Sequence, residues 1–130
     1  MENTLNFEPF KGSGSRLETY YIGITGSGTV SLYSGFYQKE KLDESIIKVM
    51  LFFDKEKKLL GISFKVKDLD EKGIFSLNHS KNKKNAWIAA RNFFTHYELK
   101  PADYKGKYKP QIHNSEQWGK IYFIDLNEKI

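Results

Sequence analysis

Residues 46–66 read Ile46-Ile-Lys-Val-Met-Leu-Phe-Phe53, Asp54-Lys-Glu-Lys-Lys58 and Leu59-Leu-Gly-Ile-Ser-Phe-Lys-Val66, two apolar runs separated by a charged turn. β-Branched and aromatic residues favour strands, and a short polar segment between two such runs is typical of a hairpin. The sequence therefore predicts an antiparallel strand pair here, and the rest of the chain is interpreted around it.

The segment before this hairpin predicts a second one. Two β-like runs, 18–25 and 29–33, flank a glycine-rich turn, which is typical of a hairpin. Gly23-Ile-Thr-Gly26-Ser-Gly28 superficially resembles a phosphate-binding loop, but such a loop opens a helix and here a β-like run follows. A plain turn is therefore predicted, with a short helix at 36–42.

The segment after the central hairpin contains more strand candidates. Strands are predicted at 73–77 and 86–88, and a loop at 103–110. A last hairpin pairs 111–113 with 120–126. The second of these runs is almost continuously apolar, which predicts a strand covered on both faces.

One clear helix is predicted over residues 89–97, ending before Pro101, because proline cannot continue a helix. Four of its apolar residues follow the i, i+3, i+4, i+7 spacing that places them on one buried face. These residues are Ala90, Phe93, Phe94 and Tyr97.

Strands followed by a helix and a final strand pair predict the α+β class. The expected architecture is a curled antiparallel sheet of several hairpins with one main helix packed on one face. The chain has 130 residues and is 15% aromatic, which suits one domain with its own core. Residues 1–16 are expected to be a flexible N-terminal segment, and residues 17–130 a single domain.

The composition excludes several chemistries. The chain contains no cysteine, so disulfides, thiolate metal sites and cysteine nucleophiles are excluded. The N-terminus resembles no signal peptide, and apolar stretches span at most five or six residues, whereas a membrane helix needs about 20. We expect a cytoplasmic protein with no membrane partner and no cofactor.

No catalytic or metal-binding pattern stands out. His79, His96 and His113 are spaced seventeen residues apart, whereas zinc ligands usually come in close pairs. No serine lies in a nucleophile elbow. Asp68 and Asp70 fall in an expected loop, where acidic residues are ordinary. The prediction is therefore that the protein is not an enzyme.

Positive charge is concentrated in residues 72–109, which hold nine Lys or Arg and two Asp or Glu, within a chain of net charge +5. Lysine and arginine bind phosphates, while aromatic rings stack on unpaired bases. The sequence therefore predicts a nucleic-acid-binding surface, sequence-tolerant and specific for single strands. The phosphate-binding candidates are Lys81, Lys83, Lys84, Arg91, Lys105, Lys107 and Lys109, and the stacking candidates are Trp87, Tyr104 and Tyr108.

Each part of this prediction has an alternative. Turn lysines also serve solubility and edge protection, and Trp87 could belong to the core. A different function is a protein-interaction or accessory subunit of a phage, defence or ribonucleoprotein assembly, because aromatic residues anchor interfaces. The anchors would be Tyr20, Tyr21, Tyr33, Phe36 and Tyr37. A third function is an enzyme with an unfamiliar site.

Three segments, 48–62, 73–77 and 86–94, resemble a set of small prokaryotic proteins of unknown function, a similarity that covers about residues 15–126. The order of elements and the basic and aromatic content are also similar to the PC4/Whirly type of single-stranded-DNA-binding domain. That similarity implies nucleic-acid binding and a surface built from dimerised sheets, so a homodimer or another protein partner is expected as well.

Overall fold

The computed structural model describes residues 5–9, 19–66 and 73–130. These residues form ten strands, two α-helices and a short 3-10 helix at Pro101–Tyr104. In chain order the elements are β1 (Ile22–Ile24), β2 (Thr29–Leu32), α1 (Ser34–Lys39), β3 (Lys48–Asp54), β4 (Leu59–Ser63), β5 (Ile74–Ser76), β6 (Asn78–His79), β7 (Ala86–Ala89), α2 (Arg91–His96), β8 (Gly106–Tyr108), β9 (Gln111–Ser115) and β10 (Gly119–Asp125).

The strands form two antiparallel sheets of five strands each. The first sheet has the order β6-β7-β2-β1-β8, and the second has the order β5-β3-β4-β10-β9. The α+β class and its hairpins are confirmed: β1 pairs with β2, β3 with β4, and β9 with β10. The expected single curled sheet is divided in two, and the second helix, α1, is as long as α2.

The core lies where the inner faces of the two sheets meet the helices. Strand alternation produces it, because every second side chain points to the same face. In the first sheet one row across four strands is almost fully buried, with Ile22, Leu32, Ala86 and Tyr108 all at 3% exposure or less. The second sheet contributes a corresponding row, Leu51, Ile62 and Tyr122.

Both helices are six residues long and depend on this core. Phe36 and Tyr37 of α1 are buried, as are Phe93 and Phe94 of α2. The predicted buried face of α2 is therefore confirmed. An isolated helix of six residues is unstable, because the free-energy cost of nucleation exceeds the stabilisation from the few hydrogen bonds that it can form.

Two predictions about the C-terminal third are wrong. The 103–110 loop contains a strand, because Gly106–Tyr108 pairs with Ile22–Ile24 from the distant N-terminal half. The strand at 120–126 is not covered on both faces. Tyr122, Ile124 and Leu126 are buried, while Ile121 and Phe123 between them remain partly exposed, because alternate side chains of the strand point away from the core.

Some expectations fall on residues outside the described ranges. Asp68 and Asp70 are among them, as is most of the N-terminal segment 1–16. The described part of that segment, residues 5–9, forms neither helix nor strand. Within the described ranges, no helix has the length and apolar character needed to cross a membrane.

Candidate nucleic-acid interface

The outer face of the first sheet brings the basic and aromatic residues together. Directly opposed residues of antiparallel strands point to the same face. One row therefore crosses all five strands on the side away from the core: Asn78, Trp87, Ser31, Gly23 and Lys107. We call this side of the sheet the outer face.

Trp87 lies on the outer face and is 39% exposed. Its neighbours along β7, Ala86 and Ile88, point inward and are buried. Trp87 is thus outside the core, which removes one alternative for this residue. Its cross-strand neighbour Ser31 has a small side chain, which leaves room beside the indole on this face.

Tyr21 and Tyr33 form an aromatic pair on the same face. Their rings meet edge to face with centroids 6.3 Å apart. The Nζ atom of Lys107 lies 5.7 Å from the Tyr21 centroid and 5.6 Å from the Tyr33 centroid, within the range of a cation–π interaction. These contacts stabilise the positions of the three side chains and place two tyrosine rings beside the Lys107 ammonium group.

Gly23 makes room for this arrangement. A Cβ atom at Gly23 would lie 2.9 Å from Cε1 of Tyr33, closer than van der Waals contact allows. The Tyr33 ring therefore approaches the backbone of β1 this closely only because residue 23 has no side chain.

The turn between β6 and β7 carries Lys81, Lys83 and Lys84, all exposed. The Ser80 side chain orders the turn: its Oγ donates to Oδ1 of Asn82 at 2.6 Å and accepts from the amide of Lys84 at 3.3 Å. Because Ala86 pairs with Leu32, the turn lies at the same end of the sheet as Tyr33.

His79 fixes this turn to the rest of the molecule. Its Nε2 lies 2.7 Å from the carbonyl oxygen of Ile46, and its Nδ1 lies 2.9 Å from the Tyr37 hydroxyl. A carbonyl only accepts, so Nε2 carries the proton and a neutral ring accepts from Tyr37. Burial raises the pKa of Tyr37, which keeps that hydroxyl in its donating form.

Arg91 and Lys105 lie at the opposite end of the sheet from the lysine turn. Arg91 follows the end of β7 and Lys105 precedes β8, and both are exposed. With Lys107 between them and the lysine turn, positive charges lie at both ends and in the middle of the outer face. The five strands of this sheet contain no Asp or Glu, so no carboxylate from these strands opposes a bound phosphate.

Two predicted phosphate-binding lysines have acidic neighbours. Lys83 forms an ion pair with Glu44 at 3.0 Å, with both side chains more than half exposed. Such a pair is worth little and is easily exchanged for a phosphate. Lys109 lines a shallow depression together with Asp125 and Glu128, which makes it a weaker phosphate ligand than Lys107.

Two of the three predicted stacking residues do not present a free ring. Tyr108 is 1% exposed, since it belongs to the inward row of its strand, and its hydroxyl donates to the carbonyl of Tyr104. Tyr108 therefore cannot stack on a base. Tyr104 is half-buried against the core, and the Nζ atom of Lys58 lies 6.0 Å from its ring centroid.

The outer face also carries two tyrosines for which the sequence predicted a different role. Tyr21 and Tyr33 were predicted as anchors for a protein partner. Phe36 and Tyr37, from the same set, are core residues with 0% and 3% exposure, so that part of the prediction is wrong. Strand alternation in β1 and β2 is the signal that places Tyr21 and Tyr33 outward, whereas Phe36 and Tyr37 are buried residues of α1.

Within residues 19–66 and 73–130, no three or more His, Cys, Asp or Glu side chains lie close enough together to hold a metal ion. His96 and His113 are exposed on α2 and β9.

No family model, curated protein or solved structure matches this chain.

Proposed function

We propose that the protein is a cytoplasmic, non-enzymatic nucleic-acid-binding protein that holds a single strand on the outer face of its first sheet. One observation carries the proposal: the partly exposed rings of Tyr21 and Tyr33 lie beside Lys107, and Trp87 is exposed on the same face, whose strands contain no carboxylate side chain. Rings on a flat sheet with cations around them are how many proteins bind unpaired bases.

The geometry favours a single strand over a duplex. Rings that stand on a sheet can stack only on bases whose faces are free, and a duplex covers those faces. In the first sheet, β2 and β1 lie between β7, which carries Trp87, and β8, which carries Lys107. The two outer strands of this group are therefore three inter-strand spacings, about 14 Å, apart. That distance accommodates several bases. Stacking does not depend on base identity, so weak sequence preference follows.

The proposal is tested by titrating a fluorescent 20-mer single strand, its duplex and the matching RNA with the protein at several salt concentrations. For a single strand, log affinity should fall with log salt with a slope of about −0.7 for each phosphate contacted. Tighter binding of either single strand than of the duplex is expected. Absence of binding to all three at low salt would overturn the proposal.

The accessory-subunit alternative uses part of the same surface, because Tyr21 and Tyr33 are its remaining anchors on the outer face. It predicts a protein partner, which could be a second copy of the chain. Capture of a partner that Tyr21→Ala and Tyr33→Ala abolish, together with no binding of nucleic acid, would favour this alternative.

A further inference from the structure

A cleft of about 770 Å³ opens where the two sheets meet beside α2. β5 of the second sheet and β7 of the first lie on either side of it. Its volume falls in the range of ordinary small-molecule sites, roughly 300–1,000 Å³. Asn78 of the outer-face row lines it, whereas the proposed phosphate-binding and stacking residues do not.

The described side chains that line the cleft are aromatic, aliphatic or polar, and none is Asp, Glu, Lys or Arg. Phe75, Phe93 and Tyr97 supply rings, while Asn78 and Asn92 supply carboxamides. The Asn92 side chain is exposed and, within the described residues, forms no hydrogen bond with another protein group. Aromatic faces with neutral donors and acceptors suit a flat, neutral, polar ligand, whereas a phosphate or a metal ion would need charged groups.

The cleft adjoins the outer face of the first sheet. Asn78 is the cross-strand neighbour of Trp87, and Ala89 is two residues further along the same strand. Both line the cleft, so the backbone of Trp87 lies beside two lining residues. Arg91 lies next to the lining residue Asn92 on α2, which places a cation beside a cleft that no Lys or Arg lines.

We infer that this cleft binds one nucleobase, with the attached phosphate outside near Arg91. The inference deepens the proposed function and rests on it for the source of the base, which would be a nucleotide turned out of the bound strand. A carboxamide offers one donor and one acceptor side by side, which matches the hydrogen-bonding edge of a base. Extruded bases are held in this way, between aromatic side chains and polar groups.

The test uses the shortest single strand that keeps full affinity, so that the strand cannot shift, with each position made abasic in turn. For the wild-type protein, one abasic position should weaken binding about tenfold. For Asn92→Ala, the same abasic position should weaken binding less than about threefold. The variant no longer makes the hydrogen bonds from residue 92 to that base, so removal of the base costs less affinity. Thr95→Ala is the matched control, since Thr95 is exposed on the same helix and does not line the cleft.

An abasic position that weakens binding equally in the wild type and Asn92→Ala would overturn the inference, as would a strand with no sensitive position. In both cases the strand still binds, so the proposed function would stand. If no strand binds, the proposed function fails and free nucleoside monophosphates decide the inference. Amide chemical-shift changes at Asn92 and His96 that Asn92→Ala removes would support a base site filled by free nucleotides. No such changes would overturn it.

Discussion

Trp87 is the exposed ring at the centre of the proposed interface, between the lysine turn and Arg91. We expect Trp87→Ala to weaken single-strand binding by about 1–3 kcal/mol, the usual value of one base stacked on an aromatic side chain. The accompanying loss in the free energy of unfolding should be below about 3 kcal/mol, the lower end for a fully buried ring, because Trp87 is 39% exposed. Fluorescence anisotropy and urea denaturation measure the two quantities.

The control for this substitution is Trp118→Ala. Trp118 is also partly exposed, but its ring packs against Phe52 of the second sheet, with centroids 5.5 Å apart. Removal of Trp118 should leave strand binding unchanged. Equal losses of affinity in both variants would show that the outer face of the first sheet is not the binding surface.

Glu40 joins two tyrosines from distant parts of the chain. The hydroxyls of Tyr20 and Tyr122 each donate to one of its carboxylate oxygens at 2.7 Å. Burial and the hydrogen bond to Glu40 raise the pKa of both tyrosines above the ordinary value of 10.0. The neutral phenols are therefore favoured in the folded state.

This pair predicts loss of stability at alkaline pH. Above about pH 10 the unfolded chain releases the two protons that the folded protein retains, so the free energy of unfolding falls as pH rises. Each tyrosine contributes a slope of up to about 1.4 kcal/mol per pH unit. Tyr122→Phe should be less stable than the wild type at pH 8, with a shallower decline above pH 10. Parallel curves, measured by urea denaturation from pH 8 to 11, would contradict the assignment.

At the scale of elements, α2 connects the core to the interface. Phe94 is fully buried on one side of this helix, and Thr95 is exposed on the other. Phe94→Ala should lower the free energy of unfolding by about 3–5 kcal/mol, because it leaves a cavity in the core. Thr95→Ala should change it by less than about 0.5 kcal/mol. A loss below about 1 kcal/mol for Phe94→Ala in urea denaturation would show that α2 is not packed as described.

The lysine-rich turns at 81–84 and 55–58 allow three lysines to be removed from either of two places in the molecule, so that the effect of position is measured at equal net charge. One variant combines Lys81→Ala, Lys83→Asn and Lys84→Ala. Its control, in the turn between β3 and β4, combines Lys55→Ala, Lys57→Ala and Lys58→Asn. Asparagine replaces the lysines with positive φ, 58° at Lys83 and 55° at Lys58, because it tolerates that conformation.

The first variant should reduce the magnitude of the salt slope for single-strand binding by up to about 2, which corresponds to three lost phosphate contacts. The control should retain the wild-type slope. Equal slopes for the wild type and both variants would assign the lysines of 81–84 to solubility.

The sequence predicted those elements whose pattern of apolar and polar residues lies within one short segment. The hairpin at 46–66 was found because two apolar runs flank a charged turn, and the buried face of α2 because Phe93 and Phe94 follow helical spacing. β6 and β8 were missed. They contain two and three residues, mostly polar or glycine, and become strands only because β7 and β1 provide partners.

At the scale of the whole molecule, the sequence predicted the class but not the division into two sheets. The pairing of β1 with β8 joins distant parts of the chain, and no local pattern encodes it. The same pairing assembles the proposed interface, because it brings Lys107 next to Tyr21 and Tyr33. The clustering of charge along the sequence predicted the lysines. Which aromatic rings lie beside them depends on strand pairing, which the sequence did not predict. Tyr108 was therefore expected on the surface, although it points into the core.

The central claim, that the outer face of the first sheet binds a single strand, is tested most directly by amide and indole chemical-shift mapping during titration with that strand. The account predicts shifts at the Trp87 indole, Tyr21, Tyr33 and Lys107, with the Trp118 indole unchanged. Shifts confined to the second sheet, or no shifts at low salt, would contradict it.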